Sequence, residues 1–179
     1  MLVLFLMVLA GLAFAPTGVP LGVFSEAEPS RMPKALLSAA KFERLHNYAV
    51  SMAVRDHVEP RGPGIPQPAS LLTYVRGRLF SGEEKMTAYA LERAQVTRRI
   101  HGWENAAIEC FEKPTEDLSL ADAAVLLIHM KSPSTVWDDR ADELLRSRNA
   151  FLQRMTDNGY ATANDTAAAM RAPLMYCKG

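Results

Sequence analysis

The chain opens on an apolar run, MLVLFLMVLAGLAFAPTGVPLGVF, and its first charged side chain is Glu26. About 20 consecutive apolar residues suffice to cross a bilayer. A run this greasy must therefore be embedded, removed or buried in a core. Met1 to Ala15 alone would make only about 22 Å of helix at the α-helical rise. Continuing to Phe24 supplies the length, but Pro16, Gly18, Pro20 and Gly22 break the second half. Broken backbone in lipid has to be covered by protein. A cleaved leader competes, because Ala13-Phe14-Ala15 has the A-x-A form. Against it, no Lys or Arg precedes the run, and Pro16 would follow the scissile bond. A core segment of a soluble domain is the third reading. The run is expected to be a membrane- or partner-embedded segment, residues 1–24.

The rest of the chain reads as helices. Ser30 and Pro33 mark a start by capping and first-turn proline. Phe42, Leu45, Ala49 and Met52 then recur on one helical face, predicting one long amphipathic helix within residues 30–58. Residues 59–70, EPRGPGIPQPAS, cannot hold a regular helix or a central strand. They are expected to form an extended strap. A second helix follows Ser70, and SGEE at 81–84 has the form of a capping box. WENAAIECFEK forms a short helix ended by Pro114. SLAD at 119–122 is a second box, opening a helix apolar on nearly all sides, which belongs at the centre of a bundle. The last long helix starts near Ser132 or Ser134 and carries Trp137, Leu144, Leu145, Leu152 and Met155. No stretch alternates with a period of two. The fold class is therefore all-α: an apolar N-terminal segment, a long helix, a Pro-rich strap, a compact irregular bundle of four to five helices over residues 71–172, and a tail, 173–179.

Charge and cysteines narrow the function. Lys+Arg and Asp+Glu are 20 each, so there is no basic excess of the kind a nucleic-acid binder shows, and a nucleic-acid partner is not expected. Cys110 and Cys177 have no metal-type spacing. They read as thiols, or as one disulfide in an oxidising compartment.

Candidate chemistry is sparse. Asp138, Asp139 and Asp142 spell D-D-x-x-D, as in the Mg²⁺-binding motif of isoprenoid synthases. The resemblance covers five residues, and acidic residues in a helix's first turn are also explained by the helix dipole. None of His46, His57, His101 and His129 forms a ligand pair. The residues single out no catalytic, cofactor-binding or metal site, and no cofactor is implied. The expected function is a non-catalytic accessory subunit of a multiprotein membrane assembly, respiratory or photosynthetic, in a mitochondrion or plastid. Its partners would be other subunits and, through residues 1–24, membrane lipid. By the positive-inside rule its bundle faces the cytoplasm, matrix or stroma. The alternatives are a helical scaffold in a soluble ribonucleoprotein or protein complex, a small Mg-dependent enzyme using Asp138, Asp139 and Asp142, and an exported protein freed of its leader.

Overall fold

The structure, a computed structural model, describes residues 19–20, 22–57 and 67–178. Among them there is no strand, only an isolated bridge between Gln95 and His101. The protein is all-α, as the periodicity predicts. Its helices are α1 (Lys34–Phe42), α2 (His46–His57), α3 (Gln67–Arg76), α4 (Gly82–Arg93), α5 (Trp103–Phe111), α6 (Leu120–Lys131), α7 (Ala141–Asp157) and α8 (Ala163–Arg171).

Helix α6 is central, packing on α1, α5, α7 and α8. Residues Ala121 to Leu127 are all buried in it. Its predicted cap is made: the Asp122 N–H donates to Ser119 Oγ, and the Ser119 N–H donates to Asp122 Oδ2. Lys113 completes this knot at 2.6 Å. A second layer is α4 against α2 and α1.

Three local expectations need correction. The long helix of residues 30–58 is two helices. Arg44 takes φ 55°, the Arg44 N–H donates to the Lys41 carbonyl, and the Leu45 N–H donates to the Ala40 carbonyl. This is a Schellman ending with arginine in the position glycine usually takes, and buried Leu45 supplies its hydrophobic contact. The Ser81 box is not made either. Gly77–Ser81 is a π-helical turn, and Gly82 at φ 81° redirects the chain into α4. Glu84 pairs with Lys41 at 2.6 Å instead. Finally, α3 starts at Gln67, inside the expected strap, with Pro68 tolerated in its first turn. Residues 58–66 lie outside the described residues.

Most of the apolar opening, residues 1–18 and Leu21, also lies outside them. Its described end belongs to the core. Val19, Phe24 and Ala27 are buried, and the Phe24 ring meets Tyr89 edge-on at 5.0 Å. Burying one such ring contributes about 1.5–3 kcal/mol, so this end is docked on α4. Among the described residues no helix is long and apolar enough to cross a membrane.

Candidate active site

Two carboxylate clusters flank α4. At its C-terminal end a cleft of about 370 Å³ lies between α4, the start of α5 and the segment around Glu26 to Met32. It is lined by Glu26, Glu28, Arg31, Glu92, Arg93 and Glu104 over a floor containing Tyr89 and Trp103. A tight loop builds it. The Gly102 N–H donates to the Ala94 carbonyl at 2.8 Å, and the Val96 N–H donates to the Ile100 carbonyl at 2.9 Å. Gly102 sits at φ 79°, and a Cβ there would lie 2.7 Å from the Glu92 carbonyl oxygen. Only glycine lets α5 begin this close to the end of α4, with Glu104 beside Glu92.

The electrostatics of this cleft favour a proton acceptor. Burial pushes the Glu92 carboxyl above its ordinary range. A hydrogen bond with the Glu28 backbone and the Arg93 charge oppose the shift, while the Glu104 charge adds to it. Glu28 is spent on Arg31 at 2.6 Å. The Trp103 indole N–H, buried in the floor, has no hydrogen-bond partner among the described residues. Arg93 stacks over Tyr89 at 4.3 Å and lies 3.7 Å from Asp56. It also borders a second cleft of about 510 Å³, whose other charged or titratable lining groups are Tyr48, Arg55, His101 and Lys131. An acidic cleft and a basic one thus share Arg93 as their divide.

At the N-terminal end of α4, Glu83 pairs with Arg78. Its second oxygen lies 3.3 Å from His46 Nδ1, without hydrogen-bond geometry. The hydrogen bond from Arg78 holds the Glu83 carboxyl below the usual range, with the His46, Arg78 and Lys41 charges adding to this. Burial lowers His46 more than Glu83 raises it. A carboxylate pinned this way is a poor proton acceptor, so this cluster fastens the Gly77–Ser81 turn to the start of α4.

The residues singled out in the sequence lie elsewhere. Asp138 and Asp139 fall in a 3₁₀ turn and Asp142 in the first turn of α7, all exposed. Among the described residues no group of three or more His, Cys, Asp or Glu is arranged to hold a metal ion. His57 Nδ1 is hydrogen-bonded to the Ala53 carbonyl. His129 is buried with no partner among the described residues for either ring nitrogen, and burial lowers its pKa to about 4. Cys110 is bonded to Cys177, so the reading of two free thiols gives way to the disulfide. Glu92 has no motif around it. Its partner Glu28 is far away in sequence, and only the fold brings them together.

Comparison with known proteins places these residues in a context. The family profile described as "Transglycosylase" matches residues 70–156, a span that contains Glu83, Glu92, Arg93 and Glu104. Penicillin-binding protein 1A of Rickettsia felis is 28% identical over 110 residues, 61% of this chain and 14% of that protein. The proteins of the same name from Rickettsia conorii and Rickettsia bellii are 27% and 26% identical over 110 residues, with the same coverage. The chain thus spans about 14% of the length of these curated relatives. These matches overturn the expected non-catalytic accessory subunit, since the matching profile describes an enzyme domain. They equally overturn a mitochondrial or plastid energy-converting membrane as the location, because the relatives are penicillin-binding proteins of Rickettsia bacteria. The partnership with respiratory or photosynthetic subunits and with lipid through residues 1–24 falls with it. Of the alternatives, the enzyme reading is the one the matches favour, without its Asp138/Asp139/Asp142 magnesium site.

Proposed function

We propose that this chain is a glycosyl-transferring enzyme of bacterial cell-wall synthesis, a transglycosylase working at the Glu92 cleft. The observation that carries the reading is the coincidence of the matched span, residues 70–156, with a cleft carboxylate whose affinity for protons is raised. In glycosyl transfer a sugar hydroxyl attacks an anomeric carbon and a leaving group departs. The hydroxyl proton needs an acceptor, and a carboxylate with a raised pKa serves that role. Glu92 takes this proton. The oxygen forms the new glycosidic bond, and the bond to the leaving group breaks with its electron pair. Glu26 and Glu104 accept hydrogen bonds from sugar hydroxyls in the acidic cleft. An anionic leaving group is repelled there and suits the basic side of Arg93, near Arg55, His101 and Lys131.

The test supplies the full chain with an activated peptidoglycan disaccharide precursor and measures glycan length on gels. The wild-type chain should polymerise it, and Glu92→Gln should lose about 10²–10⁴-fold in rate, the usual contribution of a general base. An inactive wild-type chain would overturn the transglycosylase reading. An active Glu92→Gln variant would overturn the role of Glu92 alone.

A further inference from the structure

Helix α5 brings Trp103 and Glu104 to the cleft at one end. At its other end it carries Cys110, bonded to Cys177 across a sequence separation of 67 residues. Both cysteines are buried. Cys177 sits in an extended segment that follows α8. Two devices hold this segment, and they divide it.

The first is Arg148, a fully buried residue of α7. Its guanidinium donates to the carbonyls of Met170 and Ala172 at 3.0 Å and of Pro173 at 3.4 Å. These bonds fix the end of α8 and the first two residues beyond it. The second device is the disulfide. Between the two, Leu174, Met175 and Tyr176 are only partly buried against the core. Among the described residues, no backbone hydrogen bond to another backbone group involves residues 174–178. With Thr97 to Ile100 and Pro133 to Val136 they line a groove of about 560 Å³.

We propose that Cys110–Cys177 is a redox clasp that fastens residues 174–178 across α5, closed only in an oxidising compartment. Disulfides persist outside reducing cytosol. The chain is synthesised with two thiols, and exchange with a disulfide oxidant, which takes the two electrons and two protons and leaves as its dithiol, forms the bond. A dithiol reverses it: one thiolate attacks a sulfur to give a mixed disulfide, the other resolves it, and the reductant leaves as its own disulfide. In the reduced form the segment beyond Pro173 comes off the groove, while everything up to the Arg148 anchor stays. This inference rests on the tail alone and is independent of the role assigned to Glu92.

The experiment uses the full chain. Non-reducing denaturation followed by thiol alkylation should label neither cysteine, and labelling should appear after dithiothreitol. Chymotrypsin should cut after Leu174, Met175 or Tyr176 in the reduced protein and leave the oxidised protein intact there. The thermal midpoint should fall by about 9–18 °C on reduction, from the loop-entropy model for a loop of this size. Cys177→Ser should behave as reduced and ignore dithiothreitol. Should that variant fail to fold, reduction of the folded wild-type chain carries the same readouts. Two alkylatable cysteines in protein recovered from an oxidising compartment would overturn the proposal. So would a cleavage pattern that reduction leaves unchanged.

Discussion

Glu83 and Glu92 sit near opposite ends of the same helix, α4, and their surroundings do opposite things to them. Glu83 faces Arg78, with His46 and Lys41 close by, and its carboxyl is held below the usual range. Glu92 faces burial and Glu104, and its carboxyl is pushed up. The first arrangement favours the folded state, because the charged form is better off folded than unfolded. The second costs the folded state something and leaves a group ready to take a proton. One helix thus carries a fastening at one end and a reactive carboxylate at the other. Sequence identity at the two positions is the same; the neighbours decide.

Breaking this comparison starts with Glu92→Gln. Beyond the rate loss stated above, its thermal midpoint at pH 7 should hold or rise, since an unfavourable charge is removed. A lowered midpoint would make Glu92 structural, like Glu83. Gly102→Ala comes next. It forces a Cβ to 2.7 Å from the Glu92 carbonyl at φ 79°, and strained backbone of this kind costs about 1–3 kcal/mol. Chemical denaturation should show that loss, and because the Cβ strikes the wall of the Glu92 cleft, activity should fall with it.

Glu83→Gln should cost only about 0.2–1 kcal/mol, the range of exposed pairs, because both Glu83 and Arg78 remain more than a third exposed. The sign with pH is fixed by the lowered carboxyl. The contribution is present above the unfolded carboxylate range and is lost as pH falls through the folded value, so wild type and variant should converge in acid. The smallest effect belongs to Glu104→Gln. Removing that charge should let the Glu92 carboxyl drift down, moving the acid limb of the rate profile to lower pH. A limb that stays put would separate the two carboxylates.

How much of this could be read from the sequence depends on how local its causes are. The Ser119–Asp122 cap and the all-round apolar face of α6 are written within a dozen residues, and both form as read. The break at Arg44 is equally local but carries no glycine to mark it, so period 3.6 runs straight through on paper. The box at Ser81 fails because Gly82 takes a left-handed φ and the preceding turn widens. The Asp138 cluster drew attention because it is compact in sequence, yet its side chains stay in solvent. Glu92 drew none, because its significance comes from Glu28, Glu104 and Gly102, which reach it only through the docking of the Phe24 segment and the Gly102 loop. The cap at Ser119 is legible from the sequence alone, whereas a cleft assembled from distant segments is legible only after folding.

The buried Arg148 also acts as a ruler. It fixes the chain at Pro173, and Cys177 is fixed at Cys110. Four residue steps separate the two points, a span of at most about 14 Å. Removing one residue between 174 and 176 would cut that reach to at most about 11 Å, while an added residue would extend it. Length in this segment is therefore a constraint in one direction only, set by a guanidinium on a different helix.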